Sequence, residues 1–128
     1  VESRGLGDVY KRQVQDGQNV FRAAVDGMSR VTLGILERIG AKGADVDLFV
    51  PHQANARIIE YARRKAKMAP EKVMLTIDRY GNTTAATIPT SLCIAVEEDK
   101  LKPGSLVLIS TFGAGFTWGG AALRWTIG

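Results

Sequence analysis

The 128-residue sequence holds a single cysteine and a single histidine. A lone cysteine excludes an intrachain disulfide framework. One Cys with one His also falls short of a typical structural zinc site unless many carboxylates join them. Long apolar runs are missing too: none approaches the ~18 residues that a membrane-spanning helix needs. The chain does not open with the basic-then-apolar pattern of a secretory signal. These absences lead to the expectation of a reducing, cytoplasmic setting, with no metal, no bound cofactor and no membrane. What is present is ordinary: 45% hydrophobic and 23% charged residues. Such a composition argues against wholesale disorder and suits one domain that buries roughly two-thirds of its unfolded surface. The net charge of +4 says only that an acidic partner is compatible.

Val1 to Gln13 (VESRGLGDVYKRQ) shows neither helical nor strand periodicity and stops where an amphipathic pattern begins. RGLGDVYKRQ resembles the translated adapter scar found at the ends of assembled metagenomic reads, so residues 1–13 are expected to be a non-native leader, or else a disordered terminus. The domain is expected over 14–128. From Gly17 to Gly40, Val20, Ala24, Met28, Val31, Ile35 and Ile39 recur at helical spacing. Asp47 to Val50 reads as a short buried strand and Gln53 to Lys67 as a second helix, with Ala54, Ile58, Ile59, Ala62 and Ala66 on its apolar face. Lys72 to Asp78 (KVMLTID) reads as another strand, and Thr84 to Asp99 as a third helix with Thr83 or Thr84 as N-cap. Ser105 to Phe112 and Phe116 to Trp125 complete the set as two strands joined by a tight Gly113-Ala114-Gly115 link. Short strands alternating with helices predict an α/β fold. Its sheet should be mostly parallel, flanked by helices, with an antiparallel last strand because the final link is too short for a crossover.

In an open α/β sheet, sites form beyond the carboxyl ends of the parallel strands. The segments leaving those ends are Pro51 to Asn55, Tyr80 to Thr84, and Phe112 to Phe116. If the strands are neighbours, the only His, a turn Asn and a glycine-rich hairpin share one rim. A neutral imidazole N–H and a carboxamide can both donate to one developing oxyanion, and backbone N–H groups of the hairpin can serve a second. Two donor sets suggest chemistry on carbonyl groups. Taken singly, each feature has a plainer explanation: a strand-end cap, turn geometry, an ordinary hairpin.

Three motifs, PHQAN (Pro51–Asn55), GNTTAATIPT (Gly81–Thr90) and FGAGFTWGGAALRW (Phe112–Trp125), resemble the C-terminal half of β-ketoacyl-acyl-carrier-protein synthase III. This is a thiolase-fold condensing enzyme that starts fatty acid synthesis. The resemblance runs from about Gly17 to the end of the chain, with 30 residues from His52 to Asn82 as in the family. It implies the C-terminal half of a thiolase-like fold and a decarboxylative Claisen condensation of an acyl-CoA, acetyl-CoA-like, with malonyl-carrier protein. His52 and Asn82 match two members of the family's Cys-His-Asn triad, with the implied role of stabilising the enolate. Phe112 matches an aromatic beside the malonyl carboxylate, and the Ala114 N–H matches an oxyanion donor, where the family has Gly. The triad Cys belongs to the N-terminal half, so this segment alone is expected to be inactive.

The resemblance also implies carrier-protein docking at Arg22, Arg57, Arg64 and Lys65, and a pantetheine tunnel at Gly17, Phe21, Ala24, Ala54, Asn55 and Ile58. Without it, the charges are a solvated helix face with a Glu60–Arg64 pair and the tunnel residues are plain core. No interleaved aromatics accompany the basic residues, which argues against nucleic acid. Cys93, in mid-helix, is expected to be a small buried structural residue rather than a nucleophile. A homodimer is expected for the complete enzyme. Two rival readings remain: a related condensing enzyme of the superfamily with another acyl donor, and a non-catalytic domain that binds carrier proteins.

Overall fold

The computed structural model describes residues 17–113 and 115–128. The expected leader, Val1 to Gln13, and the expected oxyanion donor at Ala114 lie outside the described residues. Helix α1 spans Gly17–Ile39, strand β1 Leu48–Pro51, helix α2 Ala56–Lys65 and the single-turn helix α3 Ile77–Tyr80. Helix α4 spans Thr87–Glu97, strand β2 Leu106–Gly113 and strand β3 Thr117–Arg124. Among the described residues, no helix is long and apolar enough to cross a membrane.

The strands lie side by side in the order β1-β2-β3. β1 and β2 run parallel, with Leu48 opposite Val107 and Pro51 opposite Ser110. β2 and β3 form the expected antiparallel pair, with Leu106 opposite Arg124 and Gly113 opposite Thr117. Every residue of β1 is buried, as its continuous apolar run requires of a strand covered on both faces. Phe49 joins one core cluster with Ala24, Met28 and Leu36 of α1 and Ile58, Ile59 and Ala62 of α2. Leu48 and Val50 point the other way, into a second cluster with Ile94 and Ala95 of α4. The α1 stripe is buried only in its middle, and Val20 and Ile39 at its two ends are exposed. A Cβ on Gly27 of α1 would fall inside the indole of Trp118, so the absence of a side chain there is what seats that ring.

The α/β class, the flanking helices and the antiparallel last strand agree with expectation, in a small mixed sheet. KVMLTID does not form a full strand. It makes one parallel bridge, Val73 to Phe49, with Met74 N donating to Phe49 O at 2.9 Å. Further on, Thr76 N and Ile77 N turn instead to the side chain of Gln53, and α3 begins. The second helix starts at Ala56, not Gln53, because Asn55 is its cap: the Asn55 side chain accepts from Arg57 N at 2.8 Å. At the third helix, neither Thr83 nor Thr84 is the N-cap. A 3₁₀ turn over Thr84–Ala86 comes first, Ala86 holds the cap position, and the Thr83 hydroxyl meets that of Thr87 at 3.0 Å. Cys93 is exposed, contrary to its expected burial. The buried face of α4 carries Thr87, Ser91, Ile94 and Ala95, and position 93 falls on the other side of the helix.

Candidate active site

Because β1 and β2 are parallel neighbours, their carboxyl ends open onto one rim. His52 follows β1 directly, and its backbone N–H donates to Ser110 O of β2 at 2.8 Å. Ser110 is itself tied to α1. The Thr32 hydroxyl donates to Met28 O at 2.7 Å, which leaves Ser110 as donor in the buried 2.8 Å bond between the two hydroxyls. Asn82 arrives from the other side. α3 closes with Gly81 N on Ile77 O at 2.8 Å, and Gly81 takes φ 67° and ψ −157°, a conformation that favours glycine and turns the chain into Asn82.

His52, Asn82, Phe112 and Gly113 line one cavity of about 630 Å³, together with Ala54 and Ile88. That volume lies in the range of small-molecule sites. Its wall is apolar apart from the imidazole, the carboxamide and Thr111. Phe112 is held by two aromatic neighbours, with ring centroids 6.3 Å from Phe116 and 6.2 Å from Trp118. The imidazole is half-buried, and burial pushes its pKa below the ordinary value of 6.5. Near neutral pH it is therefore uncharged, with one N–H to donate.

The shift has a measurable consequence. The folded chain disfavours the imidazolium, so the unfolded state binds more protons once the pH falls below the unfolded value. Folding stability then decreases as pH drops through 6.5 toward the depressed folded pKa. His52 is the only histidine, so its imidazole C–H resonances report the titration by NMR with no overlap from a second histidine. The expected midpoint lies below 6.5; a midpoint above that value would contradict a buried, uncharged imidazole.

The remaining expected site residues fall in several places. Ala54 lines the cavity, whereas Ala24 and Ile58 sit in the core cluster of α1 and α2. Gly17 opens α1, and the Asn55 side chain caps α2. Phe21 lies under the guanidinium of Arg57, 5.4 Å from ring centroid to Cζ. Arg22, Arg57, Arg64 and Lys65 are all exposed. Arg64 Nε donates to Glu60 Oε1 at 2.8 Å, and hydrogen bonds from Arg63 and then Arg64 hold the Glu60 carboxyl down to about 2. Lys65 stands over the Tyr61 ring at 5.5 Å. Cys93 is absent from the cavity wall and borders a separate hollow with Leu92, Val96 and Trp125. Among the described residues, no group of three or more His, Cys, Asp or Glu side chains could hold a metal ion.

Sequence reasoning missed Gln53, fully buried between the two halves of the site. A polar residue just after a strand reads as a solvated turn, and only its place between His52 and a helix cap hinted otherwise. Val20, Ala85, Ile88 and Thr111 of the cavity wall were missed as well.

The family model described as 3-oxoacyl-[acyl-carrier-protein (ACP)] synthase III C terminal matches residues 36–125. The chain belongs to the β-ketoacyl-ACP synthase III family. It is 53% identical over 111 residues to the β-ketoacyl-ACP synthase III of Koribacter versatilis, covering 87% of this chain and 33% of that protein. The solved synthase III of Thermus thermophilus superposes with a TM-score of 0.81 at 46% identity, over 85% of this chain and 34% of that one. The enzyme from Aquifex aeolicus gives 0.82 at 44%, over 85% and 35%. This synthase III segment thus spans about a third of the length of the curated relatives it matches.

Proposed function

We propose that this chain is the C-terminal part of a β-ketoacyl-ACP synthase III that condenses an acyl-CoA, acetyl-CoA-like, with malonyl-carrier protein. The observation that carries the reading is the meeting of His52 and Asn82 in one apolar cavity, the imidazole uncharged. In the reaction, a Cys thiolate of the N-terminal part takes the acyl group from CoA. The malonyl thioester then loses CO₂, and negative charge collects on its carbonyl oxygen. The His52 N–H and the Asn82 carboxamide donate to that oxygen. The enolate carbon attacks the acyl thioester, the β-ketoacyl product stays on the carrier, and the Cys sulfur leaves. Phe112 keeps the malonyl carboxylate poorly solvated and so favours its loss. The Ala114 N–H completes the hole for the acyl oxyanion. No metal or resident cofactor enters these steps.

The deciding experiment uses a complete synthase in which this segment replaces the matching third of the Koribacter versatilis enzyme. Decarboxylation of malonyl-carrier protein that disappears with His52→Ala supports the reading. A folded, acyl-loading chimera that never decarboxylates overturns it.

We assign carrier docking to Arg22, Arg57, Arg64 and Lys65, and passage of the pantetheine arm to Gly17, Phe21, Ala24, Ala54, Asn55 and Ile58. Arg57, exposed above Phe21, is the clearest test. Arg57→Glu in the chimera is expected to raise the carrier-protein KM about tenfold and to weaken its salt dependence, because opposite charge steers the encounter. Loading from acyl-CoA should stay within about twofold, a margin far below that tenfold step. Equal damage to both half-reactions would remove the docking assignment. The complete enzyme is expected to be a cytoplasmic homodimer, where CoA thioesters and the carrier are at hand.

A further inference from the structure

The side chain of Gln53 is fully buried, and its amide is used to capacity. Nε2 donates to Pro51 O at 3.0 Å and to Met74 O at 2.9 Å. Oε1 accepts from Thr76 N at 2.8 Å and from Ile77 N at 3.0 Å. A primary amide offers two donors and two acceptor lone pairs, and here all four meet a partner. Leu or Met would fill the volume and take this partner from four backbone groups, three of them on buried residues. Asn is shorter by a methylene, and an ionised Glu would set the carboxylate oxygen that replaces Nε2 against two carbonyls.

The partners are as telling as their number. Pro51 immediately precedes His52. Met74, Thr76 and Ile77 belong to the segment that starts α3, and α3 is one turn long, closed by the Ile77–Gly81 bond and followed by Asn82. Upstream of this point the two segments are joined through the Val73–Phe49 bridge and the Met74–Phe49 bond. Downstream, the amide of Gln53 holds the last residue before the imidazole against the helix that ends at the carboxamide. We propose that Gln53 is the positioning residue of this site, fixing His52 relative to Asn82 so that both donors reach one oxygen. The proposal rests on the decarboxylation reading above. Gln53 touches no substrate and acts through the two residues it spaces.

The test uses the complete chimeric synthase and follows both half-reactions. Gln53→Leu should lower kcat for malonyl decarboxylation about 10²-fold, the effect of a displacement near 1 Å, with acyl loading within about twofold. In an Asn82→Ala background the same substitution should add less than about threefold, because the group being positioned is already gone. Gln53→Glu supplies a second readout. Its protonated acid can still donate once and accept, so activity should approach that of the parent at low pH. A new basic limb should then appear in kcat between about pH 6 and 9 as the buried acid ionises. Equal loss of both half-reactions in step with a lowered melting temperature would reduce Gln53 to a stability role and overturn the proposal. So would an undiminished effect in the Asn82→Ala background. If the Leu variant fails to fold, the pH profile of the Glu variant decides, and the absence of a basic limb rejects the role. A parent chimera that decarboxylates equally well after His52→Ala would instead remove the functional reading itself, and Gln53's role with it.

Discussion

Malonyl decarboxylation by the completed synthase should fall about 10²- to 10³-fold on His52→Ala, and by a similar factor on Asn82→Ala. On the proposed reading both donors serve the oxygen on which charge develops as CO₂ leaves, within an apolar cavity where a hydrogen bond to an anion is poorly replaced by solvent. Because they serve one atom, the double variant should lose less than the product of the single losses. Single-turnover release of CO₂ from malonyl-carrier protein measures this directly, with acyl loading followed in parallel. His52→Gln is the informative companion, since it keeps a donor but changes its reach. If both alanine variants decarboxylate at the parent rate, the two residues have no part in the chemistry.

Phe49→Ala should destabilise the fold by about 3–5 kcal/mol, the usual range for deleting a buried Phe. Phe49 is fully buried, and its ring faces the cluster built by α1 and α2. Its backbone also carries the bridge to Val73 and accepts from Met74 N at 2.9 Å. The cavity left behind would therefore sit between the two helices and the strand that delivers His52. Denaturant unfolding of the chimera measures the loss. A change under ~1 kcal/mol would mean that the cluster collapses around the gap.

Several elements could be read in the sequence because a local pattern specified them. The α1 periodicity, the apolar run of β1 and the short link before β3 each left one choice of structure, and the sheet follows from them. His52 could be placed on the rim because it follows β1; Asn82 was expected there beyond a neighbouring strand, and it reaches the same cavity from the end of α3 instead. Where the reading departed from the structure, a side chain took over work assigned to the backbone. KVMLTID has the composition of a strand, but Gln53 captures the amides of Thr76 and Ile77 and ends it after one bridge. Asn55 moves the start of α2 in the same way. Cys93 illustrates a different limit. An apolar helix of small residues does not announce which side faces the sheet, and α4 turns Ser91 inward and Cys93 outward.

The close seat of Trp118 on Gly27 also bears on how these two positions can evolve. They belong to the first helix and the last strand, yet they share one volume, and Phe112 leans on the same indole. A side chain gained at 27 obliges a smaller ring at 118, and a ring lost at 118 opens room at 27 and removes a wall from Phe112. Neither position drifts alone. Across the family the pair should therefore change together or not at all, a covariation that couples the helix at the start of this segment to the aromatic lining of the cavity.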